Sequence, residues 1–114
     1  MEIVAWILQG LLALMFLMAG IGKVTGSKMH VDGFNHWRLP QWFRVVTGII
    51  ELAAAVLLII GFWQTDYAIF GSLLLGVTAI GGTLTHIRVK DGMKETSMIV
   101  LLGIMAFALL FILI

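Results

Sequence analysis

The segment VVTGIIELAAAVLLIIGFW, residues 45–63, decides the fold. Only Thr47, Gly48, Glu51 and Gly61 interrupt its apolar series. A helix of this length rises about 30 Å, the thickness of the hydrocarbon core of a bilayer. In lipid the backbone must satisfy its own hydrogen bonds, so the segment reads as a helix. The two-residue alternation of a barrel strand is absent. Outward from it lie three further runs. Residues 3–22 contain Gln9 as their only strongly polar side chain, residues 67–86 are rich in small residues, and residues 98–114 sit at the short limit of a span.

The composition agrees. Of 114 residues, 61% are hydrophobic and 11% charged, where a soluble domain carries about a quarter charged. Seven basic and six acidic residues cannot cover a soluble domain of this size. An apolar, weakly charged chain is not disordered. A net charge of +1 gives no basic footprint for nucleic acid. Cysteine is absent, which excludes disulfides, thiol relays and Cys-ligated iron–sulfur clusters on this chain. The expectation is one all-α membrane domain over residues 1–114. It is a four-helix transmembrane bundle in the lipid bilayer, with an interfacial segment between helices 1 and 2. Met1 and Glu2 supply no basic n-region, and the first run is longer than a leader's apolar core. It therefore reads as a retained span rather than a cleaved signal.

Loop charge sets the orientation. The first connection carries Lys23, Lys28, Arg38 and Arg44, the second carries no Lys or Arg, and the third carries Arg88, Lys90 and Lys94. Connections one and three of a four-span hairpin chain share a side. All basic residues then lie on one face, expected to be cytoplasmic, with both termini outside and a bacterial inner membrane as the best fit. In the first connection Phe34, Trp37, Leu39, Trp42 and Phe43 alternate with His36, Arg38, Gln41 and Arg44. That mixture suits the headgroup region, as an interfacial or re-entrant segment or as a plain aromatic belt. Pro40 is expected to open the second long helix.

Glu51 is the most informative residue. It follows Arg44 by seven positions, so it lies about 10 Å deeper along a helix. A carboxylate there costs several kcal/mol unless it is neutral, paired or in a wet cavity. It either serves a site or bonds helices together. Arg44, Gly48, Glu51, Ala55 and Leu58 share one helical stripe. Ser72, Gly76, Ala79, Thr83 and His86 share another, as do Gln9, Leu12, Phe16, Gly20 and Lys23. If the three stripes face one another, Lys23, Glu51 and His86 converge in one half of the membrane. Lys23 or Arg88 would then neutralise Glu51, and the His86 imidazole would shuttle a proton. The competing readings make His86 a helix-end residue and Lys23 and Arg88 snorkelling anchors. His30 and His36 read as surface residues, and a haem held by two histidines is not expected because only His86 adjoins a span. No HExxH, Walker, Rossmann or GxSxG pattern is present, and no metal site is expected. The seven Met residues read as packing, and Gly81-Gly82 as a kink or close helix contact.

In order and spacing the chain resembles the DoxX-like family of small integral membrane proteins. The resemblance rests on Ala19-Gly20-Ile21-Gly22-Lys23 ending the first run, then Phe34 with Leu39-Pro40. Gly48-Ile49-Ile50-Glu51-Leu52, Gly61 and Thr85-His86-Ile87-Arg88 complete it. It implies a four-helix membrane bundle and an association with redox chemistry. Some relatives are subunits of thiosulfate:quinone oxidoreductases, others are linked to oxidative-stress complexes or to quinone and catechol responses, and vertebrate relatives act as assembly chaperones. The absence of cysteine sets this chain apart from thiol-bearing redox relatives.

The functional expectation is a membrane redox component, a subunit of a quinone-linked oxidoreductase. It would bind a quinone-like lipophilic molecule with Glu51 and His86 as the acid/base pair. Lys23, Thr47, Thr83, Arg88 and Trp37 would contact the ligand. A quinone is then the one cofactor-like molecule expected, with no haem or iron–sulfur cluster on the chain. Electrons would pass to a partner protein, and the chain would associate with itself or with that partner. Two alternatives stand beside this: a non-enzymatic scaffold or assembly factor, and a proton-coupled transporter subunit.

Overall fold

The structure is a computed structural model that describes residues 2–114, apart from the Glu95 side chain. Its described residues form five helices in the order α1 (Glu2–Thr25), α2 (Lys28–His36), α3 (Gln41–Ile60), α4 (Thr65–Arg88) and α5 (Met93–Leu113). Four helical stretches are long and apolar enough to cross a membrane: Glu2–Thr25, Gln41–Ile60, Thr65–Arg88 and Thr96–Leu113. The molecule is an all-helical membrane bundle, and α2 is too short to span.

The helices run past the apolar segments at most ends. Hydropathy marks what lipid tolerates, whereas a helix continues until a cap stops it. Thus α5 starts at Met93 and winds Lys94, Thr96 and Ser97 into its first turns. Pro40 stands at the N-cap of α3 with extended backbone, one position before the helical residues. The second run was expected to continue to Trp63, but α3 ends at Ile60 and Gly61 caps it. The first connection folds as α2, which packs on α1 and α3 through a face that buries Phe34.

Among apolar neighbours, helix association depends on close packing and interhelical hydrogen bonds. Small residues permit the approach. A Cβ added to Gly20 would lie 3.0 Å from the Gly48 carbonyl oxygen, and one added to Gly48 would lie 3.0 Å from that of Gly20. These two positions bring the α1 and α3 backbones together. The Gln9 side chain donates to the Leu58 carbonyl at 2.7 Å, a buried cross-link between the same helices. Leu12, Phe16, Ala54, Ala55, Leu58, Ala68, Leu75, Ala106 and Leu109 form the core. The outer faces carry exposed Trp6, Met18, Ile49, Phe70, Leu84 and Phe111, as expected of side chains that face acyl chains. In space α1 adjoins α3 and α5, and α4 adjoins α3 and α5, so the four long helices close into a ring.

Candidate functional site

Three helix ends shape the site. In α1, Gly26 takes φ 78° and the Ser27 N–H donates to the Gly22 carbonyl at 2.9 Å. In α2, Arg38 takes φ 59°, Leu39 N–H reaches the Phe34 carbonyl at 2.9 Å and Arg38 N–H reaches Asn35 at 3.1 Å. In α4, Lys90 takes φ 60°, Asp91 N–H reaches His86 at 2.9 Å and Lys90 N–H reaches Ile87 at 3.1 Å. The last two are Schellman caps with a left-handed residue at the position that glycine usually holds. The α4 cap folds the chain back on itself and sets the Asp91 carboxylate beside His86, the residue whose carbonyl accepts its own N–H.

Asp91 joins three side chains. Its Oδ1 lies 2.6 Å from His36 Nε2, and its Oδ2 lies 2.6 Å from His86 Nδ1 and accepts from Trp37 Nε1 at 3.2 Å. The Trp37 and His86 rings meet edge to face with centroids 5.2 Å apart. Arg88 donates to the Trp37 carbonyl. Together these bonds fasten the end of α2 to the α4–α5 turn. The His36 hydrogen bond, followed by those from His86 and Trp37, holds the Asp91 carboxyl below the usual 3.8 against partial desolvation.

Beneath this roof lies a cavity of about 400 Å³. Phe16 and Lys23 line it from α1, and Phe34, Trp37 and Leu39 from α2 and the residues after it. Phe43, Thr47, Ile50 and Glu51 line it from α3, Thr78, Gly81, Gly82, Thr85 and His86 from α4, and Ile99 from α5. Lys23 Nζ donates to Glu51 Oε1, and the Glu51 side chain is 2% exposed. Among the described residues Glu51 Oε2 has no hydrogen-bond partner, and no buried polar side-chain atom is orphaned. Oε2 therefore faces the open space of the cavity. Arg44 braces the pair from outside: Nη1 donates to the Lys23 carbonyl and Nε to Gln41 Oε1 at 2.7 Å. That guanidinium also sits at the carbonyl end of α1, where the helix dipole favours a cation.

Of the residues singled out in the sequence, Lys23, Trp37, Thr47, Glu51 and His86 line one cavity. Lys23, not Arg88, carries the countercharge to Glu51, and the Arg88 guanidinium is taken up by the Trp37 carbonyl. Thr83 is on the other side of α4. It lines a shallow apolar groove against α5, with its hydroxyl donating to the Ala79 carbonyl at 2.8 Å. At 100° per residue, a helix that turns Thr78, Gly82 and Thr85 inward turns Thr83 away. His86 is hydrogen-bonded to Asp91 rather than to Glu51. His36 is exposed as expected yet bonded to Asp91. His30 is half-buried, with its ring over Gly22. Burial, then the charges of Lys23 and Arg44, lowers the His30 imidazole below its usual 6.5. Gly81-Gly82 is a continuous part of α4: Gly82 packs on Ile99, and Gly81 leaves space open.

Asp91 escaped the sequence reading. It lies five residues after His86, a separation that places two side chains together only through the left-handed cap, and no glycine at position 90 announces that cap. Among the described residues, no group of three or more His, Asp or Glu side chains is arranged to hold a metal ion.

An uncharacterized protein from Bacillus subtilis (strain 168), YdgD, is 37% identical over 73 residues. The match covers 64% of this chain and 63% of that protein, so it spans less than two thirds of the relative's length. No solved structure matches the chain. The pattern of the DoxX-like family matches residues 7–110, nearly the whole of a chain whose charged pair, roof and cavity all fall within that range. The chain belongs to the DoxX-like family.

Proposed function

We propose that the cavity binds the polar head of a quinone-like lipophilic molecule and that the protein works as a membrane redox component. The observation that carries this reading is the Lys23–Glu51 pair at the cavity wall with Glu51 Oε2 unpartnered. A buried carboxylate held by an ammonium, with one oxygen open to a mostly apolar chamber, suits a ligand with a hydroxyl to donate. A quinol has that hydroxyl, and the quinone-linked role implied by the family resemblance points the same way. Glu51 accepts the hydrogen bond and then, one after the other, the two protons released as the quinol gives up two electrons, and Lys23 stabilises the carboxylate each time it is freed. His86, which lines the same cavity and bonds Asp91 behind it, carries each proton toward His36 at the exposed end of α2. Trp37 and Thr47 bound the head. The electrons leave to a partner protein. The basic connections face the cytoplasm in this reading, which the concentration of Lys and Arg on one side supports.

The test is binding of a quinone and its quinol to purified protein in lipid nanodiscs. Glu51→Gln and His86→Ala are each expected to weaken the quinol at least fivefold, with Glu51→Gln hitting the quinol harder than the quinone. Equal affinities in wild type and both variants would remove the site. A scaffold role draws support from a different feature, the shallow apolar groove between α4 and α5, whose walls include Ile80, Leu84, Val100, Ile104 and Phe107. An apolar groove on the outer face is a surface that a helix of another protein could pack into.

A further inference from the structure

The bundle consists of two tight helix pairs, α1 with α3 and α4 with α5, that meet along α3–α4 and α1–α5. α1 and α3 stay in backbone contact at Gly20 and Gly48, close to the cavity. α4 and α5 stay together as far as Gly82, where an added Cβ would lie 3.0 Å from Ile99. Between the pairs, α3 and α4 touch near their connecting turn. A Cβ on Gly61 would fall 2.4 Å from that of Ala68, and one on Gly71 would lie 3.0 Å from the Ala54 carbonyl oxygen. Ten residues further along α4, about 15 Å, a Cβ on Gly81 would meet nothing within 4 Å. At that level the cavity, lined by Thr47 and Ile50 on α3 and by Thr78 and Gly81 on α4, lies between the two helices.

The cavity occupies the gap and reaches the outside through it. Its two edges are a row of Phe43, Thr47 and Ile50 on α3 and a row of Thr78, Gly81 and Thr85 on α4. Phe43, Ile50 and Gly81 are cavity-lining and exposed at once. Gly81 is seven residues before Arg88, about 10 Å below the basic end and within the hydrocarbon layer. The threonines do not make the edges polar. Thr47 donates to the Phe43 carbonyl at 2.8 Å, Thr78 to Leu74 at 2.8 Å and Thr85 to Gly81 at 2.9 Å, so each hydroxyl proton is occupied by its own helix. Toward the polar end the roof is shut by Phe34, 3% exposed, and by Trp37, which Asp91 and Arg88 both hold.

We propose that the gap between α3 and α4 is a lateral portal through which the ligand enters from the bilayer. Its head reaches Glu51, and its chain remains between the two rows, in contact with lipid. This rests on the ligand-binding reading above and adds what that site selects: an amphiphile with a compact hydrogen-bonding head and an apolar chain.

The experiment uses Trp37 as a native reporter in the cavity roof, with the exposed Trp6, Trp42 and Trp63 changed to Phe. Gly81→Phe narrows one edge, and Ile50→Phe, at the other edge, serves if the first variant does not fold. In nanodiscs of phosphatidylcholine with brominated acyl chains, Trp37 emission in the parent should fall at least twofold. The edge variant should recover at least half of the loss. No quenching, or quenching the variant leaves unchanged, overturns the portal. A benzoquinone with a decyl chain and the same ring without a chain are then titrated. The ratio of their affinities should fall at least tenfold in the variant, and an unchanged ratio overturns the proposal. If neither quinone binds the parent while brominated chains quench it and the variant relieves that quenching, the quinone reading fails and the portal stands.

Discussion

Lys23 and Glu51 behave as one unit because neither charge has another partner of opposite sign within the bundle's described residues. Deleting one leaves the other desolvated and uncompensated. Lys23→Met should therefore destabilise the protein by about 3–5 kcal/mol, the usual cost of breaking a buried pair from one side. Replacing both, as Lys23→Met with Glu51→Leu, should return stability to the wild-type level or above it, since well-packed apolar residues match or exceed a buried ion pair. Thermal unfolding in one detergent compares the variants, and a double variant as unstable as the single one would sink this account. The pair was legible in the sequence because depth along a helix follows from counting residues, and both lie on stripes of period 3.6. What counting could not supply was the choice between Lys23 and Arg88. That choice depends on Arg88 finding the Trp37 carbonyl, a contact between residues fifty-one positions apart.

Helix ends and glycine contacts determine how the elements meet. Arg38 and Lys90 hold left-handed backbone at two Schellman caps, a conformation that costs a side-chain-bearing residue about 1–2 kcal/mol. Glycine removes that penalty and gives back part of it as chain entropy. Arg38→Gly and Lys90→Gly should each stabilise by about 0.5–1 kcal/mol, read as a raised melting temperature; a fall in both would contradict the caps. Glycines inside the helices separate by sign. Gly48→Ala drives a methyl against the Gly20 carbonyl and the Lys23 side chain and should cost about 1–3 kcal/mol. Gly81→Ala meets open space and should be neutral or stabilising by up to about 1 kcal/mol, from helix propensity. The same melting series checks both. The apolar runs located all four long helices because hydropathy is strong in each. Their ends were less legible, since hydropathy does not mark where a helix stops: α3 stops at Gly61 inside an apolar run, and the cap after α4 places Lys90, not glycine, in the left-handed position.

At the scale of the whole molecule, α2 closes the cavity end of the two helix pairs, and acid should loosen that closure in two stages. The aromatic and basic residues of the first connection mark it as an interfacial segment, whereas its attachment to the α4–α5 turn passes through Asp91, a residue that no sequence pattern links to it. His30 and Asp91 are the groups outside the spans whose folded proton affinity is lowered, His30 first by burial and Asp91 first by the His36 hydrogen bond. A lowered value means that the unfolded chain takes up the proton more readily, so protonation favours unfolding. The His30 contribution is complete above the usual imidazole value of 6.5 and is lost as pH falls through the lower folded value. The Asp91 contribution is complete above 3.8 and is lost as pH falls below that. Stability should thus decline first in the range just below 6.5 and again below 3.8. His30→Gln should flatten the upper decline and leave the lower one, and Asp91→Asn should do the reverse. Melting temperature against pH, paired with proteolysis in the α2 segment, reads both stages. Detachment of α2 should raise cleavage there at a temperature where the four long helices remain folded. If cleavage rises only together with global unfolding, α2 is part of the cooperative core rather than a roof fastened to it.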